Sequence, residues 1–149
     1  MIPAKTQRPP AHLESLEEYR RLYEQSLAEP GEFWRGQAEC LDWFREPTST
    51  GQWSFEEVDF SWYSGGELNV CYNCVDRHAL SHGDKTSLIW VGDEAGEYTH
   101  ISYRSLLREV SRMANVLLAH GVGKGDRVCI YLPMIPELAY TMLACARIG

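Results

Sequence analysis

Cys71, Cys74, His78 and His82 form a Cys-x2-Cys-x3-His-x3-His run, and sulfur and imidazole ligands at such spacings hold zinc. A structural zinc site normally joins two separated ligand pairs, whereas all four residues here fall in one segment that reads as helix. On a regular helix they share a face, as packing residues with a polar edge do, and packing is the reading adopted. Gly121-Val122-Gly123-Lys124-Gly125 invites comparison with a phosphate loop. A dinucleotide fingerprint follows a strand and opens a helix, so that the phosphates meet a helix N-terminus. Here the order is reversed, and the Gly-Lys-Ser/Thr ending of the Walker loop is missing. The stretch reads as a helix-to-strand turn. Asp126 and Arg127 read as solvated or locally paired charges. Asp76-Arg77-His78 offers acid, base and proton-transfer types, but adjacent helical positions point in different directions and make no triad. No orienting base identifies any cysteine as a nucleophile. No catalytic, cofactor-binding or metal-ligating residue is assigned.

The elements that would position such residues are legible from periodicity. Leu106, Leu107, Val110, Met113, Ala114, Leu117 and Leu118 lie on one stripe of a 3.6-residue period and predict an amphipathic helix. His120-Gly121 supplies its stop. Arg127-Val128-Cys129-Ile130-Tyr131-Leu132 lacks alternation and is rich in β-branched and aromatic types, the mark of a parallel strand covered on both faces. Pro136 and Glu137 suit the first turn of a final helix, whose body, Leu138 to Ile148, is apolar almost all round and so reads as sandwiched between layers, with Gly149 as its cap. A parallel strand needs a crossover and a neighbour, and neither follows in these 149 residues. The chain is therefore expected to be the front of a larger α/β enzyme.

Earlier in the chain, residues 1–14 read as a flexible, proline-rich lead-in. Ser15-Leu16-Glu17-Glu18 has capping-box spacing, and Leu16, Tyr19, Tyr23 and Leu27 give an apolar stripe. Pro30-Gly31 breaks that helix, and a second is predicted from Glu32 to Trp43. All four Phe and four of the five Trp fall between residues 33 and 62, with neither helical nor strand period, which predicts an irregular wrap anchored by its rings. Gly65-Gly66 is a turn, Leu68–Leu80 a helix, and 87–91 with 97–101 a β-hairpin.

Composition narrows the function. A net charge of −7 without Lys/Arg clusters argues against nucleic acid as the main partner. No stretch approaches the roughly 20 apolar residues of a membrane span, and no secretory signal is present, so the expected location is the cytoplasm. Five cysteines, an odd number with two in predicted core elements, read as reduced thiols.

Read together, the motifs match a family. Trp62-Tyr63-Ser64-Gly65-Gly66-Glu67-Leu68-Asn69-Val70, the Cys71 to His78 run, Ile89-Trp90-Val91-Gly92-Asp93-Glu94, Gly121 to Val128, Tyr131 to Glu137 and Met142 to Gly149 occur in the order found in the N-terminal region of acetyl-CoA synthetases, which the chain closely resembles. The resemblance implies an AMP-forming acid:CoA ligase of the adenylate-forming superfamily, using acetate, ATP with Mg²⁺, and CoA. It implies that residues 15–85 are an N-terminal helical and aromatic wrap and 86–149 the beginning of the large AMP-binding domain. The family's Ser/Thr/Gly-rich loop, its Tyr-x-x-Thr-Glu motif and its lysine-bearing lid have no counterpart here, so the resemblance carries over no site residue and implies a scaffold role, with the remainder of the synthetase chain as partner and no cofactor of its own. Two other readings stay open: a self-contained protein-interaction module built on the aromatic segment, and a small nucleotide-binding α/β domain.

Overall fold

The computed structural model describes residues 13–149. Most of the expected lead-in, residues 1–12, lies outside them. The described residues divide into two compact units, one comprising those up to Leu41 with Pro47–Gly65, the other Asp42–Glu46 with Gly66–Gly149. The fold class is mixed α/β, with helices and two small antiparallel sheets.

In the first unit, α1 spans Leu16–Ala28 and α2 Pro30–Ala38. The Ser15 Oγ accepts from the Glu18 N–H at 3.0 Å, and the Glu18 carboxylate reaches back one residue further than a standard capping box, accepting from the Glu14 N–H at 3.1 Å. The expected stripe is not buried: Leu16, Tyr19, Tyr23 and Leu27 are all more than half exposed. The second helix also departs from expectation at both ends. Pro30 opens α2 instead of separating two helices, because a first-turn residue needs no N–H partner. The helix stops at Ala38, well before Trp43, through i→i−3 bonds from Glu39 to Gly36 and from Leu41 to Ala38.

The segment read as irregular contains a hairpin, β1 (Gly51–Ser54) with β2 (Asp59–Trp62). Its register pairs Gly51 with Trp62 and Trp53 with Phe60. Trp53 and Trp62 stack at 5.3 Å, and a Cβ on Gly51 would lie 2.9–3.0 Å from their rings, so only glycine fits beneath them.

The second unit carries the core. A helical turn from Val70 passes into a single π turn, Tyr72–Asp76, and continues as α3, Arg77–His82. The β-hairpin matches its sequence reading closely: β3 is Thr86–Val91 and β4 Tyr98–Ser102. A bulge at Ser87 lets its hydroxyl donate to the Ile101 carbonyl at 2.8 Å.

The predicted long helix is α4, Tyr103–Ala119, capped by Ser102. It ends in a Schellman motif. The Val122 N–H donates to Leu117 O at 3.1 Å and the Gly121 N–H to Leu118 O at 3.0 Å, with Gly121 at φ 85°. The stripe buries Leu106, Val110 and Ala114 against Ala144 of α5 (Pro136–Ile148) and against Cys71, Val75 and Ile101. Helix α5 is not enclosed all round, since Met142 is 58% exposed.

The one predicted strand that does not form is 127–132. The segment pairs with no strand among the described residues, and Tyr131 is fully exposed. Its apolar run encodes a buried strand only where neighbours occupy both edges. Cys129, expected in a core strand, is accordingly exposed.

Candidate functional site

The Cys/His run does not assemble. The π turn carries one extra residue, so positions 71, 74, 78 and 82 do not share a face. Cys71 is completely buried in the core, whereas Cys74 is exposed. The His78 ring lies 5.2 Å from that of Tyr103, and His82 Nδ1 lies 2.8 Å from Ser81 Oγ. Among the described residues no group of three or more His, Cys, Asp or Glu is placed to hold a metal ion.

The glycine loop's amides are paired within the loop and with the end of α5. The Gly123 N–H donates to Asp126 Oδ2 at 2.7 Å, the Asp126 N–H to Gly123 O at 3.1 Å, and the Gly125 N–H to Gly149 O at 3.1 Å. A phosphate cradle needs such N–H groups free and convergent. Asp126 thus closes its own turn, as expected of a locally paired charge.

Asp76, Arg77 and His78 part company as neighbouring helical residues should. Asp76 accepts from Arg147 Nη2 at 2.6 Å, Arg77 lies 3.2 Å from the Asp42 carboxylate, and His78 faces Tyr103.

What the second unit does assemble is a polar cluster around the π turn. The Asn69 Oδ1 accepts from the Tyr72 N–H at 3.0 Å, while its Nδ2 donates to the carbonyls of Ala146 and Arg147 at 3.0 and 3.1 Å. One amide therefore starts one helix and finishes another, satisfying orphan groups of both. Asn73, 8% exposed, treats Asp42 as a strand would. Its Oδ1 accepts from the Asp42 N–H at 2.8 Å and its Nδ2 donates to Asp42 O at 3.0 Å.

Burial pushes the Cys71 thiol pKa up, and nearby Arg147 only partly opposes this. For Arg147 burial works against the charge, but the bond to Asp76 and the neighbouring Cys71 outweigh it and hold its pKa above the ordinary value. A neutral, buried thiol is neither nucleophile nor metal ligand. The raised thiol pKa also stabilises the fold at neutral pH, a contribution lost as pH climbs through and above the ordinary thiol range. Limited alkylation at pH 7 should modify Cys40, Cys74 and Cys129, which are exposed, at least about tenfold faster than Cys71. Mass spectrometry of the alkylated peptides reads this directly, and early labelling of Cys71 would contradict its placement.

Two apolar cavities lie among the described residues of α1–α2 and of β3–α5. One of about 290 Å³ lies between β3 and the start of α5, walled by Leu88, Trp90, Ile101, Ile135 and Leu138. The other, about 610 Å³, lies between α1 and α2 beside Tyr19, Tyr23, Phe33 and Trp34. Among the described residues no charged side chain lines either, and the polar groups of the second are the hydroxyls of Tyr19, Tyr23 and Ser26 and the Gln37 amide.

Sequence reasoning missed Asn69, Asn73 and the Asp76–Arg147 pair. Asn69 just before a helix carries a capping signal; partners 31 to 78 residues away leave none.

Residues 19–74 match the family described as acetyl-coenzyme A synthetase N-terminus, and residues 75–149 match the AMP-binding enzyme family. The chain is 52% identical over 149 residues to acetyl-coenzyme A synthetase of Halorhodospira halophila, covering 99% of this chain and 23% of that protein. It is 52% identical over 134 residues to acetyl-coenzyme A synthetase 2 of Pseudomonas aeruginosa, covering 89% and 21%. Among solved structures, acetoacetyl-CoA synthetase from Streptomyces lividans superposes with a TM-score of 0.77 at 28% identity, covering 91% of this chain and 21% of that one. The chain thus spans about a fifth of the length of the curated relatives it matches.

Proposed function

From the chain's membership of the AMP-binding enzyme family, with a preceding acetyl-coenzyme A synthetase N-terminus region, we propose that it is the N-terminal scaffold of an AMP-forming acetate:CoA ligase. The whole enzyme joins acetate to ATP, with Mg²⁺, giving acetyl-adenylate and pyrophosphate, and the CoA thiol then displaces AMP. Residues 15–85 form the N-terminal wrap and 86–149 the first elements of the adenylation domain, and the enzyme works in the cytoplasm. No helix of the described residues is long and apolar enough to cross a membrane, which is compatible with that location.

The observation that carries this reading is the uninterrupted, collinear match of both family regions across residues 19–149. Adenylate formation demands stabilisation of charge developing on phosphate and carbonyl oxygens. Here the Gly123 and Gly125 amides and the part-buried Asp76–Arg147 pair are spent on the fold, which supports a scaffold role.

The test exchanges residues 1–149 for the corresponding N-terminal segment of the Halorhodospira halophila synthetase. The chimera should fold and release AMP in an acetate- and CoA-dependent manner, whereas the 149 residues alone should show no acetate-dependent ATP–pyrophosphate exchange. A folded but inactive chimera, or robust exchange by the short chain, would overturn the proposal.

A further inference from the structure

The segment Asp42–Glu46 belongs to the second unit although chain residues on both sides of it belong to the first. It is held at two places. Phe44 and Arg45 donate their N–H groups to Glu67 O at 2.7 and 3.1 Å, and the Glu67 N–H returns to Arg45 O at 2.8 Å. Asp42 is held by the Asn73 side chain through both backbone groups, and its carboxylate lies 3.2 Å from Arg77. The Phe44 ring lies edge-on to Tyr72 at 5.3 Å. This short segment is a strap fixed to the π turn.

The opposite side of the same turn holds the end of α5. Asn69 donates to Ala146 and Arg147, and Asp76 accepts from Arg147. The two sides are joined, since Asn73 Nδ2 also donates to Asn69 O at 3.2 Å and the Arg77 guanidinium donates to Asn73 Oδ1 at 3.0 Å. A continuous chain of hydrogen bonds therefore runs from Asp42 through Asn73 and Asn69 to the last turn of α5. A π turn is rare and occurs mostly as a single turn within an α-helix, and side-chain networks of this kind act as units rather than as separate pairs.

We propose that this π turn is a latch that couples two distant pieces of the fold, so that releasing the Asp42–Glu46 strap loosens the C-terminal turn of α5, and the reverse. Coupling between two sites is reciprocal, and that reciprocity separates a latch from two adjacent contacts. The inference concerns the 149-residue fold and stands whether or not the ligase reading does.

The test is residue-resolved amide hydrogen exchange on the whole chain. Asn73→Ala removes both of the Asn73 bonds to Asp42. Losing one or two hydrogen bonds should speed exchange of the Asp42 amide by about tenfold. The latch predicts a rise of at least about threefold at the Gly149 amide, bonded to Cys145 O at 3.1 Å, with the central amides of α4 unchanged. Asn69→Ala, made at the other end, should speed the Asp42 amide in turn. Phe44→Ala loosens the strap without touching the polar chain and guards against failure of the asparagine variants to fold. Strap exchange rising with the α5 end unmoved in both Asn73→Ala and Phe44→Ala would overturn the proposal. So would a uniform rise that includes α4, which would show ordinary global loosening.

Discussion

Val110→Asp is expected to abolish the cooperative thermal melt of the chain. Val110 is completely buried on α4, in the cluster that contains Val75, Leu106, Ala114 and Ala144, and none of these side chains can donate to or neutralise a carboxylate. Burying an unpaired carboxylate costs several kcal/mol even after its pKa rises, against a total stability of order 5–15 kcal/mol for a domain. The second unit joins α4, α5, β4 and the π turn through this one cluster, so its loss leaves no alternative core. Val116→Asp on the same helix is the matched control. Val116 is 51% exposed, and a charge there should shift stability by no more than about 0.5 kcal/mol. Circular dichroism melts and urea titrations of the two variants read the contrast. A cooperative transition in Val110→Asp near the wild-type midpoint would show that this cluster is not the core.

Local signals were well encoded in this chain and long-range ones were not. Gly121 after an amphipathic stripe marks the end of α4 almost to the residue, because turn glycines act on their own neighbours, whereas the Ser102 cap at its start was not read. The β3–β4 hairpin was legible for the same reason, with Gly92 and Gly96 flanking its loop. The β1–β2 hairpin was not. Its loop, Phe55 to Val58, lacks glycine and asparagine, and Val58 takes φ 54°, a conformation that β-branched residues rarely adopt. The alternation of Trp53 with Phe55 and of Phe60 with Trp62 was the signal available, obscured by aromatic rings on both sides. The 127–132 segment shows the converse limit. Its composition correctly describes a strand's preferences, but preference becomes a strand only through a paired neighbour.

The boundary between the two matched family regions falls between Cys74 and Val75, inside the π turn of Tyr72–Asp76. Cys71 from one side of that boundary and Val75 from the other are both fully buried in one cluster. Sequence families record where similarity begins and ends, whereas the structural division runs between Gly65 and Gly66, at the turn that sequence reasoning had marked. The residues from Gly66 to Cys74, within the proposed N-terminal wrap, thus pack in one unit with the AMP-binding region.

The Asp76–Arg147 pair ties the π turn to the end of α5, and its removal should be the largest single polar effect in the second unit. The two side chains are 21% and 28% exposed, between the surface pairs worth about 0–1 kcal/mol and buried pairs whose disruption costs about 3–5 kcal/mol. Asp76→Ala should therefore destabilise by about 2–3 kcal/mol, because it strands a half-buried guanidinium whose Nε already lacks a hydrogen-bond partner. Arg147→Met, which keeps much of the stem, should cost less, about 1–2 kcal/mol, since the freed Asp76 carboxylate retains access to water. In the double variant neither charge is left unpaired, so the two losses should fall short of additivity by about 1–2 kcal/mol. Added salt should change this coupling little, because partly buried pairs are poorly screened. Urea titrations of the four proteins close the cycle. A coupling below about 0.3 kcal/mol, within the scatter of independent sites, would mean that apolar packing and the Asn69 bonds, rather than the ion pair, hold α5 to the π turn.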